Sequence, residues 1–412
     1  MILVHPTGAS CLQTNILDFR PISLTPIVSR LLEKLVVRLS IYPLFSQPST
    51  LPFFLDQFAF RPTGSTQSAI IAILHHITTL LQTSKYVRLI ALDFSKAFDT
   101  LRHSTTLTKL STLPVQDIFY NWFVNYFQSH SHSTLFNNHS SSVAQINASV
   151  FQGSAVGPLM FVVNGVDLKP INSFNKLDKY ADDTYLIVSS NNESTIDDEL
   201  NSIERWAENN NLTLNKSKSA ELIIYPSIVA QNKAPPVASI PSIARVTTLK
   251  ILGVTFGSCL SVSSHITETT LLSAQSLYAL KVLKTHGLDS RSLHQVCHST
   301  LVSRLTYASP SWWGLASCED KAKMQSVLNR AMKWGLCDVA TPPLEEICAK
   351  LDTDLFNKVI LSSNHVLHHL LPPLKSHTYQ LRPRSHDRQL PAKGSSLFAN
   401  TFIQRMLFKD IY

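Results

Sequence analysis

Two aspartates stand side by side in the stretch Lys179-Tyr180-Ala181-Asp182-Asp183-Thr184. Leu177 and Tyr180 precede the pair and Tyr185-Leu186-Ile187-Val188 follows it, so the segment reads as strand, tight turn, strand with two carboxylates at the tip. Adjacent carboxylates repel, and folding alone gives no reason to aim both one way. A divalent cation removes the conflict, because hard oxygen ligands suit Mg²⁺ and the ion's charge reverses the local pKa argument. Taken alone, a solvated acidic loop would look the same. A third carboxylate, Asp93, follows the apolar run at 86–92. The end of a buried strand is where α/β proteins place chemistry, although Asp93 could equally cap a helix over 94–99.

The elements that must position these groups are readable in outline. Helical periodicity over 27–39 puts Leu31, Leu35 and Leu39 on one face and Glu33, Lys34 and Arg38 away from it. Prolines 43, 48 and 52 mark a loop, and Ser65 or Thr66 caps a second helix through Ile70, Ile71, Ile73, Leu74 and Ile77. A polar stretch at 133–149 reads as an exposed hairpin or loop. It leads to Gln152-Gly153 and Gly157, glycines that let backbone approach a flat ligand closely. A helix over 194–211 carries acids in its first turn, a strand and loop follow at 212–218, and 249–256 form a strand pair or bend. From 266 onward leucine-rich helices ending at Gly287 and Gly335 predict a three-helix unit, followed by a basic, irregular tail with Arg382, Arg384, Arg388, Lys393, Arg405 and Lys409.

Composition bounds the function. With 412 residues, 44% hydrophobic and 16% charged, the chain is globular and long enough for two or three cores. The net charge of +8 is unevenly spread: residues 160–260 carry 9 Lys and Arg against 11 Asp and Glu, while 1–159 carry 10 against 6 and 347–412 carry 9 against 4. An acidic centre between basic flanks is expected if a polyanion lies across a metal site. Six cysteines at 11, 259, 297, 318, 337 and 348 show no zinc spacing and read as reduced core residues of an intracellular protein. The start is too short and uncharged for a signal peptide, and no apolar run approaches membrane-spanning length.

The order of the motifs is more telling than any one of them. Arg-Pro-Ile-Ser at 20–23, Gln-Phe-Ala-Phe-Arg at 57–61, Leu-Asp-Phe-Ser-Lys-Ala-Phe-Asp at 92–99, Phe-Gln-Gly-Ser-x-x-Gly-Pro-Leu at 151–159, Tyr-Ala-Asp-Asp at 180–183, Leu-Asn-x-x-Lys at 214–218 and Leu-Lys-x-Leu-Gly-Val at 249–254 follow one another. Together they resemble the reverse transcriptase domain of non-LTR, LINE-type retrotransposons, from about residue 3 to about 335. The resemblance implies an α/β (α+β) right-hand polymerase, with fingers at 1–85, a palm at 86–260, a three-helix thumb at 261–345 and a basic extension at 346–412. It implies an RNA template, a DNA primer, dNTPs and two Mg²⁺ or Mn²⁺ ions about 3.5–4 Å apart. Asp93, Asp182 and Asp183 would hold the metals with the Phe94 carbonyl, and Phe98 would block a ribose 2′-hydroxyl. Gln152 and Gly153 would lie against the incoming nucleotide, Arg20 would fork its phosphates, Arg61 would sit near template or nucleotide, and Lys218 would protonate pyrophosphate. Leu252-Gly253-Val254 would be the primer grip, and action on chromosomal DNA would place the protein in the nucleus.

The sequence also departs from the family pattern. Val4-His5-Pro6 stands where relatives have a lysine-containing segment, Ala59 and Phe151 replace a glycine and a proline, and Asn164-Gly165-Val166-Asp167 replaces Tyr-Ile-Asn-Asp. None removes a metal ligand. These departures, with no recognisable endonuclease domain, make the chain read as a piece of a longer element-encoded protein or a truncated copy, and keep a second expectation open, a silent RNA-binding remnant. A metal-dependent nuclease would also use paired carboxylates, but would not call for Phe98, Gln152 or Lys218 at these places.

Overall fold

The computed structural model describes residues 2–6, 19–23, 25–95, 97–128, 131–136, 138–149, 153–375, 386–392 and 394–409. Helices and strands are mixed, as expected for an α+β chain. The chain divides into two compact units, each assembled from separated segments. The first contains Met1–Gly64, Leu92–Thr184 and Ser194–Lys218, and the second Ser65–Ala91, Tyr185–Glu193 and Ser219–Tyr412. Compactness follows packing and not sequence order, so these units cut across the four consecutive segments expected above.

In the first unit the helices Ile27–Ser40, Asp117–Phe127 and Val156–Asn164 close a core of Val36, Val37, Ile41, Phe54, Phe123, Leu159 and Met160. The first of these helices turns the opposite way from the leucine pattern. Val36, Val37 and Ser40 are buried with Glu33, while Leu31, Leu35 and Leu39 are more than half exposed. Both sets repeat at helical spacing, and periodicity identifies a face without saying which face meets the core. Glu33 decides it: its carboxylate accepts the backbone N–H of Ala155 at 2.7 Å, at the head of the Val156–Asn164 helix. A carboxylate satisfies an orphan donor there and suits the positive end of the helix dipole.

In the second unit Ala220–Ile224 lies between Val87–Leu92, to which it is antiparallel with Ala220 opposite Ala91, and Ala244–Val246, to which it is parallel. Val87, Leu89, Leu222 and Ile224 pack with Ile70, Ile73, Leu74 and Ile77 of the helix Thr66–Leu80. Ser65 caps that helix, its hydroxyl accepting from the Ser68 N–H. Alternate residues hold a charged ladder: Glu221, fully buried, pairs with Arg88 and Arg245, and Arg88 also reaches Glu193.

Leu277, Leu280, Leu293, Cys297, Leu301, Met324, Val327 and Leu328 fill the helical part, built by Ser263–Thr285, Ser290–Cys297 with its continuation to Leu305, and Cys318–Lys333. Gly287 and Gly335 end the long helices at positive φ. The tail is less irregular than its composition suggested. Leu344–Leu361 and Phe402–Phe408 are helical, Arg405 pairs with the buried Asp352, and Arg388 donates to the Pro372 carbonyl and to His368. Arg382, Arg384 and Lys393 lie outside the described residues. The five described cysteines are free thiols, and among the described residues no helix is long and apolar enough to cross a membrane.

The two faces of Ile27–Ser40 separate cleanly in a stability measurement. Leu31→Lys or Leu35→Lys should shift the unfolding free energy by no more than about 0.5 kcal/mol, as surface changes do. Val37→Ala should cost about 1–3 kcal/mol in the same denaturant titration. The reverse ranking would put the leucines in the core.

Candidate active site

Asp93 owes its place to backbone pairing on either side of it. Val87–Leu92 ends, Asp93 follows, and Phe94–Ser95 re-pairs antiparallel with Thr213–Leu214. The Asn215 N–H donates to the Asp93 carbonyl at 2.8 Å. The helix expected over 94–99 is confined to Ala97–Thr100, so Asp93 stands at a strand end, not on the first turn of a helix. Phe94 is buried, its ring meeting the edge of Trp206 at 6.0 Å.

Asp182 and Asp183 come from the hairpin of Lys176–Tyr180 and Asp183–Ser189, joined by Ala181 and Asp182. Ala181 adopts φ +57°, a left-handed conformation that costs a non-glycine residue about 1–2 kcal/mol. The turn persists because neighbouring backbone over-determines it. Lys179 donates its N–H to the Asp56 carbonyl at 2.7 Å and accepts from the Phe58 N–H at 2.9 Å. Gln57, buried between these contacts, accepts at one side-chain oxygen from the N–H groups of Ala59 at 2.9 Å and Ala181 at 3.2 Å. Behind the hairpin the Lys179 ammonium donates to the carbonyls of Gly165 at 2.8 Å and Leu168 at 2.9 Å and stands 3.2 Å from Asp56. Burial pushes it down to about 8 despite the attraction of Asp56. Gln57 and Lys179 lie inside the motifs read from the sequence, but only their backbone partners reveal what they hold.

The carboxylates at the tip act on one another. Asp183 is pushed up to about 6, first by burial of its carboxyl and then by the carboxylates of Asp182 and Asp93. The residue as a whole stays open to solvent, so its two charged neighbours are the better guide to what the site lacks. Among the described residues no three His, Cys, Asp or Glu side chains are arranged to cage a metal by themselves. Mg²⁺ is commonly held through one or two carboxylates, with substrate phosphates and water supplying the other oxygens. The donor set, carboxylate oxygens that repel one another, fits such a cation.

The half-buried Phe98 stacks on Phe161, with ring centroids 4.7 Å apart and planes at 29°. Gly153 is exposed at φ +111°, a conformation that favours glycine, and Ser154 caps the following helix by accepting the Gly157 N–H at 2.8 Å. Gln152 lies outside the described residues, and so does the Arg20 side chain, whose strand Phe19–Ser23 pairs with Ile2–Pro6. Lys218 is exposed, its N–H donating to Asn215 three residues after the bond to Asp93.

Arg61 corrects an expectation. Only 6% exposed, its guanidinium donates to the carbonyls of Phe54 and Gln57 and lies over the Phe45 ring, and burial lowers it to about 10. It braces the loop that carries Gln57, because buried carbonyls left by a short helix demand donors.

The expected primer grip belongs to the second unit. Thr248–Ile251 and Val254–Gly257 form an antiparallel hairpin whose turn residues, Leu252 and Gly253, both have positive φ, the signature of a tight two-residue turn. The Tyr307 hydroxyl lies 3.0 Å from the Leu252 carbonyl, and its ring would meet any Cβ placed on Gly253 at 3.1 Å.

Known proteins match most of this chain. The probable RNA-directed DNA polymerase from transposon BS of Drosophila melanogaster is 26% identical over 355 residues, covering 81% of this chain and 37% of the relative. The RNA-directed DNA polymerase from mobile element jockey of the same fly is 26% identical over 282 residues, 65% of this chain and 30% of the relative. The chain thus spans about a third of the length of the curated relatives it matches. Among solved structures, a telomerase from Candida albicans in complex with a telomeric RNA fragment aligns at TM-score 0.46 and 11% identity, over 77% of this chain and 60% of that one. Residues 14–256, more than half of the chain, match the model of the family described as reverse transcriptase (RNA-dependent DNA polymerase), and the chain belongs to that family.

Proposed function

We propose that the chain is the polymerase portion of a non-LTR retroelement protein, an RNA-directed DNA polymerase that extends a DNA primer on an RNA template with dNTPs. The observation that carries this reading is that Asp93, Asp182 and Asp183 lie near enough to repel one another within a reverse transcriptase family member. Relatives named for a transposon and a mobile element support the retroelement origin. Family membership supports the fingers, palm and thumb division, and chromosomal DNA as target would place the work in the nucleus.

Two divalent cations held by Asp93, Asp182, Asp183 and the Phe94 carbonyl would, when bound, activate the primer 3′-hydroxyl and neutralise the triphosphate. The protein's own groups do the rest. The Ala181 turn keeps the carboxylates from swinging apart, so no reorganisation is needed as charge develops. Phe98 offers an apolar wall where a ribose 2′-hydroxyl would otherwise fit, and Gly153 admits the nucleotide close to backbone. Arg20 forks the phosphates. Lys218, on the loop tied to Asp93, gives its proton to the leaving pyrophosphate. The Leu252-Gly253-Val254 turn, stiffened by Tyr307, carries the primer end. The second reading, a silent RNA-binding remnant, is favoured by the substitutions at Val4-His5-Pro6, Ala59 and Phe151.

Primer extension on a primed RNA template with dNTPs and Mg²⁺ or Mn²⁺ decides between the two. Asp182→Asn should lower incorporation about a hundredfold or more while leaving RNA binding largely intact. A folded, RNA-binding parent protein with no metal-dependent extension would establish the remnant. The same carboxylates give a thermal signature that does not depend on turnover. In EDTA, Asp183→Asn should melt above the parent because one repelling charge is gone, and Mg²⁺ or Mn²⁺ should raise the melting temperature of the parent far more than that of the variant. A parent indifferent to both ions would remove the cation site. Phe98→Ala should raise the use of ribonucleotides relative to deoxynucleotides, and an unchanged preference would end the assignment of Phe98 to the sugar.

A further inference from the structure

The ring of Phe98 is held by a neighbour to which no role has been given. Phe98 sits on Ala97–Thr100, a single turn of helix that cannot fix a side chain's direction through its own hydrogen bonds. Phe161 has the opposite setting. It lies on the nine-residue helix Val156–Asn164, where Val156, Leu159, Met160, Val162 and Val163 are all buried. The head of that helix is pinned by Glu33 on the Ala155 N–H and by Ser154 on the Gly157 N–H. Phe161 itself is 6% exposed, so its ring is a fixed surface, and the Phe98 ring rests on it at 4.7 Å and 29°. One member of the pair is buried and the other is partly open to solvent. Offset stacking favours one relative orientation of the rings, whereas a branched aliphatic side chain of similar bulk would not.

We propose that Phe161 is a positioning residue for sugar selection: its stacked ring holds Phe98 in the plane from which the 2′-position of an incoming nucleotide is accepted or refused. The proposal rests on the reading of Phe98 as the sugar-discriminating side chain. It adds that the discrimination is not a property of Phe98 alone. Ribose and deoxyribose differ by one oxygen, so a ring free to tilt by a fraction of its thickness admits both. The helix that carries Phe161 also begins just after Gly153, which ties the backing of the wall to the loop proposed to receive the nucleotide.

The test uses the full 412-residue chain in single-nucleotide extension on a primed RNA template, with kcat/KM measured for a dNTP and for the matching rNTP. The proteins compared are the parent, Phe98→Ala, Phe161→Leu and Phe161→Tyr. Leucine keeps most of the volume without the flat face, so the variant is chosen to fold, which a melting curve checks; tyrosine keeps the face. Phe161→Leu should raise the ratio of ribonucleotide to deoxynucleotide efficiency several-fold, up to about tenfold, the range that loss of one aromatic pair allows. Phe161→Tyr should restore the parental ratio. Adding Phe161→Leu to Phe98→Ala should raise the ratio no further, because the two side chains act as one unit.

A merely structural Phe161 would lower both efficiencies together and leave the ratio where it was, and that result overturns the proposal. Relaxed selection in Phe98→Ala with an unmoved ratio in Phe161→Leu would remove Phe161 while leaving the assignment of Phe98 standing. An unmoved ratio in Phe98→Ala would remove both.

Discussion

Three carboxylates repelling one another within a single unit are the constraint to which the rest of the first unit answers. Nothing in the hydrophobic effect favours that arrangement, so it must be imposed by backbone. Asp93 is fixed by strands that pair before and after it and by the Asn215 N–H on its carbonyl. Asp182 and Asp183 are fixed by a left-handed alanine, a glutamine that collects two N–H groups, and a strand edge bonded to residues 56 and 58. In each case main-chain hydrogen bonds oppose a charge conflict, which is how strained functional geometry persists in a folded chain.

The parts of this arrangement that were legible in the sequence are those with a local cause. Alternating apolar residues around Asp182-Asp183 give a hairpin, an apolar run ending at Asp93 gives a strand end, Ser65 gives a cap, and Gly287 and Gly335 give helix ends. What escaped is the set of polar residues whose partners are backbone atoms far along the chain. Glu33 looked like surface because it lies away from the face of Leu31, Leu35 and Leu39, yet the donor it serves is Ala155. Arg61 looked like a nucleotide contact because its motif matched, yet the carbonyls of Phe54 and Gln57 had a prior claim. A sequence shows which side chains can donate or accept; it does not show which distant backbone group lacks a partner.

A similar logic governs the second unit. Its charged ladder of Arg88, Glu221 and Arg245 runs through three strands whose other residues are aliphatic, and such a pair is costly to break but seldom a large net gain. The hydrophobic contacts of Leu89, Leu222, Ile224 and Ile73 carry the cohesion. The Leu252-Gly253 turn, backed by Tyr307, is rigid for the same reason as the Ala181 turn: a backbone conformation unfavourable in isolation is held by one side chain from elsewhere.

The buried ammonium of Lys179 has a consequence for how the protein responds to alkali. Its value in the fold, about 8, lies below the ordinary 10.5, so the unfolded chain holds this proton more tightly than the folded one. The cost of burying the charge is therefore fully present at neutral pH and fades as pH rises from about 8 toward 10.5, a direction in which surface lysines begin to lose their ion pairs. For this one group, mild alkali lowers the cost of folding, while a neutral Lys179 amine gives up its attraction to Asp56 behind the carboxylate tip.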